Sequence, residues 1–470
     1  MTDKATIAEA IDIEALMRKA TREAEKASKL APVMLKRDSF ARSAVSTGCL
    51  CLDWKMGGGI PPSRIVGIAG PERSGKTVLI TQILFNQVKH SGFAKLYDAE
   101  GSTDPIFLRA RNIDFDKFRG KRDKNGDLKP KEVDYIDFYQ PTTVEEFVEY
   151  IHTLSSILPE NRNPEKPVCI HALDSVIAMI TDALEEDIDA NKMSYHARMY
   201  AQYLPIVNGD LVKSGCSLVY TNQLRQKPGV KYGSPIYEPA GDALKFFSSI
   251  RLMLSTTKPK LSGGEDHPFL TTEMIPGVDV REGGVWEEPH YNSKGEVKGL
   301  DRYVYTGIKT VKNKVYTPYQ SCWMRIQFEE NGSTGSGIDS VFDVFTFLYE
   351  TGYIKQARIT NEKTGKDKAA KGLYAAKPCS KFNPVKEFGL PEQFDYFQFK
   401  QWVKSDEDLV DKLRERMLVS GLVYNKDEEE IVIDVTDDEL EEQGLAEVAH
   451  GLVEVQEVQE KKRGRPKKDG

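Results

Sequence analysis

Read as a pattern of apolar and polar positions, the chain from Ser46 to Met253 is a series of short apolar runs, RIVGIAG, AKLYDAE, VCIHALDS, CSLVYTNQ and SIRLML, separated by segments with helical spacing. Runs that are apolar at nearly every position suit strands covered on both faces, so their alternation with helices predicts an α/β fold with a mostly parallel sheet. Ahead of them, Ile7, Ile11, Ile13, Leu16 and Met17 recur at helical spacing. They predict one amphipathic helix between Ile7 and Leu30 that needs a surface to pack against. Residues 255–300 are polar and rich in Gly, Pro and Glu, which predicts a surface insertion rather than a core element. After the strand-like YVYTGIKTVKNKVY and CWMRIQFEE, the run SVFDVFTFLYETGYI reads as a helix, followed by a polar hairpin and a further helix near Asp406 to Val419. The expected division is an N-terminal helical segment (1–42), an α/β core with its insertion (43–324), a small α+β domain (325–425) and a tail (426–470) with too little apolar mass to fold alone.

The net charge of −7 changes meaning once it is divided along the chain. Residues 426–460 hold fourteen acids and one lysine, the last ten residues carry +5, and residues 1–425 are left near neutral at +1. The acidity therefore belongs to the tail, and the body is free to meet a polyanion. No run of eighteen apolar residues occurs, and the first thirty residues mix acids and bases where a signal peptide needs an apolar stretch, so a cytoplasmic protein is expected. The six cysteines include no C-x-x-C pair, so neither a zinc site nor a disulfide framework is indicated.

Candidate chemistry begins at Gly70-Pro71-Glu72-Arg73-Ser74-Gly75-Lys76-Thr77, which matches G-x-x-x-x-G-K-[ST] directly after the strand RIVGIAG and before the helical TVLITQILFNQV. That spacing lets successive backbone N–H groups curl round phosphates at a helix N-terminus, with Lys76 reaching the terminal phosphates and the Thr77 hydroxyl placed to ligate Mg²⁺. Two acids stand at strand ends. Asp174 closes VCIHAL and can hold the Mg²⁺ shell, and Glu100 closes AKLYDA and can polarise a water. Taken singly, each has as its alternative a carboxylate capping the next helix or turn, a reading that weakens beside the glycine loop.

GPERSGKT, LYDAEGSTDPIF, ALDSV, TNQLRQKPG, GDALKFF and VKNK occur in the order and spacing of the RecA family, over about residues 43–320, and the sequence resembles that family of ATP-dependent strand-exchange recombinases. The resemblance implies a RecA-type P-loop ATPase core, with ATP and Mg²⁺ as cofactors and single-stranded and duplex DNA as partners. It implies Glu100 as the catalytic glutamate, Asp174 with Ser175 on the Mg²⁺ side, Asp104 and Phe107 as adenine contacts, and Gln223 as sensor of the γ-phosphate. Lys312 and Lys314, two apart on a strand, would in isolation read as a solvated edge. In RecA-like filaments such paired lysines reach the ATP held by the neighbouring subunit, which makes hydrolysis depend on assembly and gives the N-terminal segment an oligomerising role.

Residues 224–240 (LRQKPGVKYGSPIYEPA) suit a DNA loop: Arg225, Lys227 and Lys231 can meet phosphates, while Val230 and Tyr232 can insert or stack. Glu186 to His196 with Arg198 resembles the family's other DNA loop, with Lys192 and Met193 as its contacts. Arg73 stands where the family has a small residue, Pro228 where it has an aliphatic wedge and Gly101 where it often has a histidine. These departures lead us to expect a divergent member, of a bacteriophage type. The terminal Arg463-Gly464-Arg465-Pro466 resembles an AT-hook, whose flat core can lie in a narrow minor groove, with a plain basic tail as the alternative. Another RecA-fold ATPase, such as a ring helicase or a regulatory ATPase, is the competing reading.

Overall fold

Each of the five apolar runs forms a strand of one large sheet. The computed structural model describes residues 43–420 apart from 90–91, 104–135, 163, 183–191, 227–235, 257, 261–266, 273, 276, 281–283, 292–296, 329–336, 362–365 and 380–381. In chain order the strands are β1 (Ile65–Gly70), β2 (Phe93–Asp98), β3 (Ile136–Tyr139), β4 (Cys169–Asp174), β5 (Ser217–Gln223), β6 (Arg225–Gln226), β7 (Ile236–Tyr237), β8 (Ile250–Ser255), β9 (Asp279–Val280), β10 (Trp286–Tyr291), β11 (Val297–Asn313), β12 (Ser321–Phe328) and β13 (Gly337–Ile338). The sheet runs β13-β12-β11-β8-β1-β5-β4-β2-β3, with β10 beside β11 and β9 beside β10. From β8 to β3 every pairing is parallel, and those of β8 with β11 and of β11 with β12 are antiparallel. Every residue of β1 and β4 is buried, as strands covered on both faces require.

The covering helices are α1 (Leu50–Met56), α2 (Lys76–Lys89), α3 (Val144–Ile157), α4 (Lys192–Ser214) and α5 (Asp242–Phe247). Leu79, Ile80, Ile83 and Leu84 of α2 join Leu50 and Leu52 of α1 on one face of the sheet. On the other face, Phe147 and Ile151 of α3 meet Leu204, Val207 and Leu211 of α4. A capping box starts α3: the Thr143 hydroxyl accepts from the Glu146 amide at 3.2 Å while the Glu146 carboxylate accepts from the Thr143 amide at 3.1 Å.

Residues 340–420 form α6 (Ser340–Glu350), β14 (Ile354–Asn361), β15 (Lys366–Ala376), α7 (Pro384–Phe388), β16 (Gln393–Phe394), α8 (Tyr396–Ser405) and α9 (Leu409–Ser420). The last three strands make their own antiparallel sheet, and Phe345, Tyr374, Phe394 and Phe399 from this region continue the apolar cluster that includes β1 and α2. One expectation changes. The segment 255–300, read as a surface insertion, places Phe269, Met274, Ile275 and Trp286 in that same core and adds β10 to the main sheet. Four apolar anchors spread through a polar stretch suffice to seat it, and average composition hides them.

Candidate nucleotide site and candidate DNA-binding residues

The loop after β1 is a cradle that tolerates no bulk. A methyl group on Gly70 would stand 2.6 Å from Ser74 Oγ, and one on Gly75 would stand 2.4 Å from Ile326 Cδ1. Gly75 also takes φ +81°, a backbone region that side chains strain. Arg73 adopts φ +60° at the loop apex with its side chain exposed, so the unusual residue alters the rim and leaves the cradle intact. Ser74 Oγ donates to the Pro71 carbonyl at 2.8 Å, and from β11 the Thr306 hydroxyl donates to the Ser74 carbonyl at 3.1 Å. Lys76 folds over the loop and donates to the carbonyls of Gly70 and Pro71 at 3.0 and 2.7 Å. Burial lowers its ammonium below the usual lysine range, against the pull of Asp174, Glu100 and Glu72. Glu72 stands exposed on the rim beside Arg73.

Strand order brings the two acids to this cradle. β4 lies one strand beyond β5, and the Thr77 hydroxyl donates to Asp174 Oδ2 at 2.7 Å while the Thr221 hydroxyl of β5 donates to Oδ1. Burial raises the Asp174 carboxyl above the usual range, and these two hydroxyls oppose the rise. Asp174 and Thr77 thus form a pair of hard oxygen donors at the mouth of the glycine loop, a set that fits Mg²⁺. Glu100 follows β2, and its Oε1 accepts from Ser175 Oγ at 2.6 Å and from Gln223 Nε2 at 3.3 Å. Asp98 shapes the turn that carries Glu100 by accepting from the amides of Ser102 and Thr103 at 3.3 and 2.8 Å.

Glu100, Asp174, Ser175, Gln223, Lys76 and Thr77 therefore converge. Thr221, Asp98 and Thr306 complete the site and were not read from the sequence. Their signal, a polar residue inside a buried strand or at its end, gains meaning only once the strand order is known. Lys312 and Lys314 do not converge with the rest. Lys312 lies level with Arg251, itself beside Gly67. That leaves it about 10 Å along the strands and about 10 Å across them from Gly70, at the other end of the sheet. Its ammonium donates to the carbonyls of Lys245 and Phe246 at 2.7 and 2.9 Å, and Lys314 stands 5.8 Å from the Phe246 ring centre. Burial and the neighbouring Lys314 and Arg251 hold the Lys312 ammonium below its usual range.

Of the DNA candidates, Arg225 is exposed on the small β6–β7 ribbon that leaves the Gln223 strand, and Arg198 is exposed on α4. Lys192 and Met193 fall in the first turn of α4. Lys227, Val230, Lys231 and Tyr232, like the adenine candidates Asp104 and Phe107, lie outside the described residues. Among the described residues no helix is long and apolar enough to cross a membrane.

Known proteins share much of this sequence. The family model for the RecA N-terminal domain matches residues 15–137 and 139–267. Protein RecA of Nostoc punctiforme is 31% identical over 311 residues, covering 66% of this chain and 68% of that protein. Protein RecA of Synechococcus elongatus is 30% identical over 311 residues with the same shares, and that of Trichodesmium erythraeum is 29% identical over 313 residues, again 66% and 68%. With a family model matched over more than half its length, the chain belongs to the RecA family.

Proposed function

We propose that this protein is a DNA-dependent ATPase that assembles as a filament on single-stranded DNA and catalyses homologous pairing and strand exchange. The observation that carries the reading is the junction at Glu100, where Ser175 from the acid strand and Gln223 from the strand before the DNA loop share one carboxylate oxygen. In this reading the glycine loop and Lys76 bind the phosphates of ATP, and Thr77 with Asp174 holds Mg²⁺. Mg²⁺ held there would supply neutralisation of the phosphate charge. Glu100 orients the attacking water and takes up its proton, while Ser175 keeps the carboxylate in place. Gln223 donates either to Glu100 or to a γ-phosphate, so exchange of that bond transmits nucleotide state from the end of β5 to Arg225 on β6 and the segment 227–235 that follows.

The position of Lys312 and Lys314 at the far end of the sheet from their own P-loop supports their acting on a neighbouring subunit's nucleotide. Joint-molecule formation between circular single strands and linear duplex, with ATP and Mg²⁺, tests the function. Products formed with homologous and not with heterologous duplex are expected. Duplex unwinding without pairing would place the protein among the other RecA-fold ATPases, and neither activity would refute catalysis on DNA.

A further inference from the structure

The outer edge of the main sheet carries an incomplete strand. β13 pairs with β12 only at Ile326 and Gln327, and the next contact is the Asp339 amide donating to the Arg325 carbonyl at 2.9 Å. Among the described residues no strand pairs with Ser321 to Met324 on that side. Backbone groups alternate along a strand, so Ser321 and Trp323 point theirs outward as Arg325 does. Beside this edge lies a cleft of about 400 Å³, lined by Tyr319, Gln320, Ser321, Trp323 and Lys260 and closed by the Lys55–Glu350 ion pair at 3.1 Å.

Two features of the cleft point to an occupant. Tyr319 is 70% exposed and holds φ +62°, fixed there by its amide donating to the Thr310 carbonyl at 2.6 Å and by the Thr310 amide donating to the Gln320 carbonyl at 2.8 Å. A bulky residue in that region is rare, and here the backbone enforces it while the ring faces solvent. The charge is also one-sided. Glu350 is already matched by Lys55, whereas Lys260 of the cleft, and Lys309 one strand further in on β11 opposite Ser321, are exposed without an acidic partner among the described residues.

We propose that the chain's own acidic tail docks here, with Ile431-Val432-Ile433-Asp434-Val435 adding as a strand to the Ser321–Trp323 edge and Asp427 to Glu430 facing Lys260 and Lys309. Four of these five residues are β-branched and acids lie on both sides, which suits strand addition beside lysines. Its attachment point is close. α9, which ends at Ser420, is tied to α1 by Arg414 donating to Asp53 and to the Gly58 carbonyl, and Lys55 of α1 borders the cleft. The eleven residues from Ser420 to Ile431 can span up to about 36 Å. The rest of the tail, with its basic end, stays free to meet DNA.

Hydrogen exchange of the full chain tests the docking. The triple variant Ile431→Ser, Ile433→Ser, Val435→Ser should speed exchange of the Ser321 and Trp323 amides at least about tenfold, with β1 and β5 amides unchanged as evidence of an intact fold. Lys260→Glu and added salt should act in the same direction. Unchanged exchange in the triple variant would overturn the proposal. So would protection of Ser321 and Trp323 that grows with protein concentration, because a second copy would then be covering the edge.

Discussion

The double variant Lys312→Ala, Lys314→Ala should bind ATP as wild type does and fail to hydrolyse it on DNA. Lys312 stands away from its own glycine loop: it is about 10 Å along and about 10 Å across the sheet from Gly70, and its ammonium is engaged with the carbonyls of Lys245 and Phe246 in α5. A cation supplied across an interface is worth about 10³–10⁵ in turnover, so the variant alone should fall to background. Glu100→Gln should be equally silent while keeping nucleotide binding, because the amide fills the place of the carboxylate without taking up a proton. Mixed in equal amounts, the two proteins build interfaces at random. About one quarter of these join intact lysines to an intact Glu100, so about a quarter of wild-type DNA-stimulated hydrolysis should return. The assay is steady-state phosphate release on saturating single-stranded DNA as the mixing ratio is varied, with a maximum near equal amounts. Background activity at every ratio would refute action between subunits.

Three further outcomes follow from the structure. Thr221→Val removes one of the two hydroxyls that oppose the burial-driven rise of the Asp174 carboxyl, a bond worth about 1–3 kcal/mol to a buried acceptor. Mg²⁺-dependent ATP binding measured by calorimetry should weaken about tenfold, whereas wild-type affinity in the variant would contradict the assignment. Arg414→Met strands the buried Asp53 carboxylate and should cost about 3–5 kcal/mol in urea unfolding, most of it recovered by adding Asp53→Asn; a loss under about 1 kcal/mol would show the pair to be idle. Burial lifts the Asp343 carboxyl to about 6 despite its bonds from the Leu50 and Cys51 amides. The folded state therefore holds that proton more tightly than the unfolded chain. Stability from this group is full below about pH 4 and declines by about 3 kcal/mol as pH rises to about 6, a slope that Asp343→Asn should remove from the urea midpoint.

Much of the candidate site's convergence was legible because its information is local. The P-loop requires glycines at fixed spacing between a strand and a helix, and Glu100, Asp174 and Gln223 announce themselves as polar residues closing apolar runs. What stayed hidden depends on which strands are neighbours. Thr221 reads as an ordinary strand residue until β5 is placed beside β4, and Asp343 reads as a helix surface position until it is seen capping Leu50 from 293 positions away. Arg414 and Asp53, 361 positions apart, carry no periodic signal at all. The core role of 255–300 was lost for a related reason, since Phe269 and Trp286 are isolated among polar residues and only the fold shows what they fill.

The central claim, that nucleotide chemistry at Glu100 is coupled to DNA held beyond Gln223, is tested most directly by the rate of ATP hydrolysis by the full chain with and without single-stranded DNA. Hydrolysis should rise on the order of tenfold or more when DNA is added, and the rise should vanish in Glu100→Gln although ATP still binds. A wild-type rate that ignores DNA, or a Glu100→Gln protein that turns over at the wild-type rate, would contradict the account.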